Sequence, residues 1–153
     1  MNAYGKCILH VTFHTKYSLD VLPEAHEQDL FEYIGTVLKN IGCPPVKIGG
    51  YDDHVHVAFD LGRETSISKA VGTLKSNSSR WLKEHGAFPA FTGWQRGYGY
   101  YSVSQSQRPP LVRYIERQRI HHGRNQMTFR QEVQLLLDKY GVEYEVAYLP
   151  EEG

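Results

Sequence analysis

Cysteine is scarce in this chain: Cys7 and Cys43 are the only two among 153 residues. Two thiols build neither a disulfide scaffold nor a thiolate cluster, so a small secreted knot and a zinc finger are excluded. Long apolar runs are missing as well; none approaches the ~20 residues of a membrane span. The opening Met-Asn-Ala-Tyr-Gly-Lys-Cys has no basic-then-apolar leader pattern, so the expectation is a cytoplasmic protein with no membrane partner. Repeats, low-complexity tracts and long linkers are absent too. With 41% hydrophobic and 22% charged residues, the chain can form a packed core. The expected organisation is one domain over residues 1–153, with 142–153 as an extended C-terminal tail.

Net charge is also lacking, since 17 basic residues balance 17 acidic ones. The balance is not local. Residues 1–62 carry 4 basic and 8 acidic residues, 63–130 carry 12 and 3, and 131–153 carry 1 and 6. A polyanion would respond to the basic middle rather than to the sum. Chance sorting of solvated charges is the competing reading.

Hydrophobic periodicity outlines the elements. Leu9, Val11 and Phe13 alternate with His10, Thr12 and His14, which predicts a strand over 6–14. Residues 23–41 predict a helix, with Pro23 in its first turn, Glu24, Glu27 and Asp29 at its positive end, and Gly42 beyond it. Pro44-Pro45 and Gly49-Gly50 bracket a short strand at 46–48, and 54–61 predicts another. A second helix is expected over 66–85, a fourth strand over 100–104, and two further helices over 111–122 and 128–140. Thr128 is a candidate N-cap, although Glu132 falls one residue late for a capping box. The order β-α-β-β-α-β plus two helices predicts an α+β chain: a ferredoxin-like split βαβ antiparallel sheet with two additional C-terminal helices.

Two groups of residues suggest chemistry. His54 and His56 flank Val55 in a strand, so both imidazoles share one face. Paired buried imidazoles need partners, and neutral imidazole is a common metal ligand. A metal site would require a third donor; two histidines that only hydrogen-bond are the alternative. In the third helix, Tyr114 and Gln118 are spaced i, i+4 and share a face, with His121 and His122 one turn on. A glutamine carbonyl can complete a divalent site. A phenol can attack a phosphate if the electrophile is polarised.

The segments Asp53-His54-Val55-His56-Val57, 74–82 (Leu-Lys-Ser-Asn-Ser-Ser-Arg-Trp-Leu), Trp94-Gln95-Arg96-Gly97-Tyr98-Gly99, Ser102-Val103-Ser104, Tyr114-Ile115-Glu116-Arg117-Gln118 with His121-His122, and 140–145 recur in one order. That order resembles the HUH-superfamily single-tyrosine transposases of the TnpA type, over nearly the whole chain. The resemblance implies DNA transposition by cleavage and rejoining of single-stranded DNA at hairpin-bearing ends, through a 5′-phosphotyrosine. It implies Tyr114 as nucleophile and His54, His56 and Gln118 as ligands of a divalent metal, Mg²⁺ or Mn²⁺, with no carboxylate ligand. It also implies a homodimer and no nucleotide cofactor. Arg80, Lys75, Arg113, Arg117, Arg119 and His14 are the candidate DNA contacts, with solvated surface as the other reading for each. Asp52 and Asp53 read as turn residues or as supports for a ligand histidine. The competing functions are a non-catalytic single-stranded nucleic-acid-binding module on the same sheet and a replication or relaxase nuclease. The latter is expected to be longer and to carry a third histidine or a carboxylate.

Overall fold

The computed structural model describes residues 3–151. Four strands, β1 (Ile8–His14), β2 (Pro45–Tyr51), β3 (His54–Asp60) and β4 (Gly99–Val103), form one antiparallel sheet in the order β2-β3-β1-β4. Helices α1 (Glu27–Asn40) and α2 (Ile67–Glu84) form the crossovers. This is the expected split βαβ arrangement, with α3 (Arg108–Glu116) and α4 (Phe129–Lys139) after it.

Period-two alternation gives the sheet two different faces. Leu9, Val11, Phe13, Val55, Val57 and Phe59 point to α1 and α2 and bury the main core with Leu30, Ile34, Leu38, Val71 and Leu74. The opposite face carries His10, Thr12, His54 and His56, all buried. Helix α3 covers part of this second face through a small apolar cluster of Ile8, Ala58, Leu111 and Ile115. The sheet is therefore sandwiched, and its polar residues are enclosed rather than solvated.

Several boundaries differ from the sequence expectation for local reasons. Gly49 and Gly50 do not end β2 but lie inside it. A Cβ on Gly49 would sit 2.6 Å from the Ile115 carbonyl oxygen, so glycine is what lets α3 settle on the sheet. The third helix ends at Glu116 rather than near His122. The chain turns at Arg117 and continues as a π-helical turn over Ile120–Arg124. Gln118 thus lies just past a break in the helix at Arg117. At α4 the capping box is present after all, because Gln131 rather than a glutamate returns its side chain to the Thr128 backbone N–H. The 142–151 stretch contains a short 3₁₀ turn, Val146–Tyr148, and Arg130 donates to the Pro150 carbonyl at 3.0 Å.

Candidate active site

The site forms where β3, the end of α3, the π-helical turn and the start of α4 meet. Strand register presents His54 and His56 on the face away from the main core, both fully buried. Tyr114 projects from the last turn of α3, Gln118 follows the helix, and His122 comes from the π-helical turn. The sixth group is Glu132, in the first turn of α4 and 1% exposed. A helix N-terminus favours a carboxylate there.

Glu132 is the hub. Its Oε1 lies 2.9 Å from His56 Nε2, 2.9 Å from His122 Nε2 and 3.3 Å from His54 Nε2. Its Oε2 accepts from Gln118 Nε2 at 2.9 Å and from the Tyr114 hydroxyl. Burial alone would push this carboxyl up, but the imidazoles of His56, His122 and His54 outweigh it and hold the group far below the usual carboxylate range. Tyr114 moves the opposite way: burial, then the Glu132 charge, raises its phenol well above the ordinary value.

The imidazoles are oriented from behind. His54 Nδ1–H donates to Asp53 Oδ1 at 2.7 Å, and His54 Nε2 faces Gln118 Oε1 at 2.8 Å. Burial would lower His54, yet the bonds to Asp53 and Glu132 raise it to about 9. His56 Nδ1 lies 2.6 Å from His10 Nε2, with the two rings stacked at 4.9 Å. Burial lowers both of these imidazoles, so His10 Nε2–H donates to His56 and His56 Nε2–H donates to Glu132. Asp53 thus orients the His54 ring as well as serving the turn. Phe129 stacks on His54 at 4.2 Å and closes the site from the α4 side.

Hydrogen-bond arithmetic tests whether a cation fits. His122 Nδ1 faces the Met127 carbonyl at 2.6 Å and its Nε2 faces Glu132, so both ring nitrogens meet acceptors only. His54 is in the same position. A singly protonated ring at either place leaves a lone pair against an oxygen. Positive charge among these Nε2 atoms and the carboxylate removes that conflict. Ligand atoms of His54, His56 and Glu132 lie within 4.8 Å of one another, which suits one divalent ion. The expectation of a donor set without a carboxylate is therefore revised: Glu132 lies at its centre. Spacing arguments missed it because it is 76 residues from His56 in the chain and reaches the site only through the fold of the α3–α4 connection. An isolated acidic residue in a helix gives no local sequence signal.

The expected DNA contacts are dispersed. Arg113 and Arg117 are exposed on and just after α3, on the side of the sheet that bears the histidines. Arg80 is exposed on α2, on the other side. Lys75, also on α2, donates to the carbonyls of Gln95 and Gly97, both at 2.7 Å. Arg119 pairs with Glu27 at 2.7 Å and with Asp52, and its guanidinium lies over the Tyr51 ring. His14 is half-buried against Phe129, and burial lowers its imidazole to about 4 against the opposing pull of Asp53. Trp94 and Tyr101 are buried, whereas Tyr98 and Tyr100 are exposed.

Residues 3–118 match a protein family described as IS200-like transposases. The match takes in His54, His56, Tyr114 and Gln118 and stops short of His122 and Glu132. Among solved structures, a Deinococcus radiodurans R1 protein provisionally assigned as a transposase is similar at TM-score 0.58 and 24% identity, covering 77% of this chain and 95% of its own. A REP-associated tyrosine transposase bound to a REP hairpin is similar at TM-score 0.59 and 17% identity, covering 80% of this chain and 73% of its own. At these identities the likeness is one of fold. No curated protein is significantly similar to the chain.

Proposed function

The chain belongs to the IS200-like transposase family, enzymes that act on DNA, and we propose that it cuts and rejoins single-stranded DNA with Tyr114 as nucleophile, at hairpin-bearing element ends. The observation that carries this reading is the shared carboxylate: Glu132 accepts from the Tyr114 hydroxyl with one oxygen and meets His54, His56 and His122 with the other. A phenol and a set of imidazoles converge on one carboxylate within a single chain.

His54, His56, Gln118 and Glu132 would hold a divalent ion, Mg²⁺ or Mn²⁺, which would polarise the scissile phosphate when bound. The chain's own groups do the rest. Asp53 and His10 fix the rings of His54 and His56 through their second nitrogens. Glu132 accepts from the Tyr114 hydroxyl and orients its oxygen toward the phosphate; the proton that the phenol sheds as its oxygen bonds to phosphorus is balanced by the one that the departing 3′ oxygen gains. The bond from phosphorus to the 3′ oxygen breaks, leaving a 5′-phosphotyrosine and a 3′ hydroxyl that carries a proton. Attack by another 3′ hydroxyl reverses the step and joins strands. The phosphodiester energy is conserved, so no nucleotide cofactor is needed.

The reading extends to a homodimer, a single domain over 1–153 with the 142–153 tail, and DNA contacts from Arg113 and Arg117, the exposed arginines that flank Tyr114 in the chain. A contact from Lys75 or Arg119 would require exchanging its present partners for phosphate. The competing reading, a binding module on the open sheet, is disfavoured because α3 covers that face and its histidines are buried.

The test is a denaturing gel. Labelled hairpin-bearing single-stranded DNA with Mn²⁺ is expected to give a slow covalent adduct that is absent with EDTA and absent in Tyr114→Phe. An adduct that persists in Tyr114→Phe would assign the nucleophile elsewhere. Failure to form any adduct on DNA bearing the element's own ends would refute the proposal.

A further inference from the structure

Beside Tyr114, and on the opposite side from the histidines' main-core neighbours, a cavity of about 630 Å³ opens between β4, α3 and α4. That is ample for a nucleobase with its sugar, within the usual range for ligand pockets. Leu111, Leu136 and Met127 give it an apolar lining. Its aromatic surface comes from Tyr114 paired with His121 at 5.1 Å, and from Tyr140, backed by Tyr101 at 4.8 Å. His121 Nε2 is shielded from solvent and has no hydrogen-bond partner among the described residues. At the rim stand Gln107 and Lys139. Six of the fourteen residues of this enclosure, from His121 to Tyr140, follow residue 118 and so lie outside the span that matches the family.

We propose that this cavity receives one unpaired nucleobase of the single-stranded substrate, next to the phosphate that Tyr114 reaches. The inference rests on Tyr114 as the nucleophile. An aromatic and apolar enclosure with few fixed polar groups suits the π-face of a base, which stacks on such rings with little sequence preference. The unpartnered His121 nitrogen offers a hydrogen bond to a base edge, and Lys139 offers a charge to the adjoining phosphate. A base taken out of the stack would fix the register of the strand on the Tyr114 hydroxyl. The cavity is therefore a register pocket for the nucleotide flanking the cut.

The two methionines of the chain make the test specific, because Met127 lines the cavity and the other is Met1. Protein labelled with ¹³C at the methionine methyls is titrated with the four deoxynucleoside 5′-monophosphates, with deoxyribose 5-phosphate as the base-free probe. A saturable upfield shift of the Met127 methyl is expected with the nucleotides and not with the sugar phosphate. Leu135→Trp, at a rim position that is 57% exposed and tolerant of change, is expected to weaken binding about tenfold or more. Equal shifts from the sugar phosphate would make this a phosphate pocket and overturn the proposal. So would no shift with any nucleotide, or undiminished binding in Leu135→Trp. In the adduct assay, one abasic nucleotide flanking the cut is expected to lower the yield about tenfold. Adduct formation indifferent to abasic sites on both sides refutes the pocket but leaves Tyr114 as nucleophile. A Met127 shift without any adduct does the reverse.

Discussion

Replacing Glu132 by glutamine keeps the volume and removes the charge. Its two oxygens face His56, His122 and His54 on one side and Tyr114 and Gln118 on the other. A glutamine amide turned either way sets its NH₂ against donors: the Tyr114 hydroxyl and Gln118 Nε2, or the protonated imidazole nitrogens. One buried donor is left unpaired, which costs about 1–3 kcal/mol, and the charged bond to the His54 imidazolium is lost as well. Breaking a buried ion pair on one side costs about 3–5 kcal/mol in all. For a domain of this length each kcal/mol moves Tm by about 2–4 °C, so Tm is expected to fall by roughly 6–20 °C. The second part concerns the cation. At 100 times its dissociation constant, Mn²⁺ stabilises a single-site protein by about 2.7 kcal/mol. That increment is expected in the wild type and should be largely lost in Glu132→Gln. Thermal unfolding followed by circular dichroism, in EDTA and in a Mn²⁺ series, reads both effects. A variant as stable as wild type in EDTA would refute the hub. A variant that gains more from Mn²⁺ than wild type would show that Glu132 obstructs the cation rather than helping to hold it.

Gly49→Ala would bring a methyl within 2.6 Å of the Ile115 carbonyl oxygen and force α3 off the sheet. The expected cost is about 1–3 kcal/mol by chemical denaturation, with adduct yield falling because Tyr114 moves with the helix; unchanged stability and yield would refute the close fit. His14 carries a pH dependence. Burial holds its folded pKa at about 4, below the ordinary imidazole value of 6.5, so between those values the unfolded chain binds a proton that the folded chain does not. His14 therefore lowers stability as pH falls through that window and has no such effect above it. Denaturation at pH 7 and pH 4.5 is expected to show a smaller acid loss in His14→Gln than in the wild type, and equal losses would contradict the burial argument.

The sheet and the two crossover helices were legible because alternation at residues 9–14 and 54–59 and the apolar stripes of α1 and α2 are local signals. The pairing of His54 and His56 on one face was legible for the same reason. What failed were inferences that carried a local rule past a tertiary contact. Gly49-Gly50 signals a strand end by propensity, but at Gly49 the missing side chain serves the approach of Ile115. Helical spacing puts Tyr114 and Gln118 on one face, and both donate to the same Glu132 oxygen, but the break in the helix at Arg117 between them has no signal in the spacing. Glu132 and the structural role of His122 had no periodic signature, because both depend on how the chain turns between α3 and α4. His10 and Thr12 alternate with the apolar residues of β1 as a solvated face would, yet both are buried.

The same contacts bear on whether the tyrosine serves its own subunit. Tyr114 meets Glu132, and Glu132 meets His54 and His56, within one chain. A swapped arrangement could re-form each of those bonds between copies, so their strength does not decide the matter; the connection does. Only four residues, 104–107, separate the end of β4 from the start of α3. Fully extended, four residues span at most about 14 Å. Three of them form a 3₁₀ turn, Gln105–Gln107, and Pro109-Pro110 stiffens the first turn of α3. A helix on so short a tether reaches a partner's histidines only if that partner docks along the free edge of β4, which ends the sheet order. At its other end α3 is followed by Arg119, pinned to Glu27 and Asp52 of the same chain. The expectation is therefore assembly within a subunit. Mixing inactive Tyr114→Phe with inactive His56→Ala, under conditions where subunits exchange, is expected to restore no adduct on hairpin-bearing DNA. Recovery to about a quarter of the wild-type yield, from one competent site in each of the mixed dimers that make up half the population, would mean that the helix does cross between copies and that the 104–107 segment opens in the dimer.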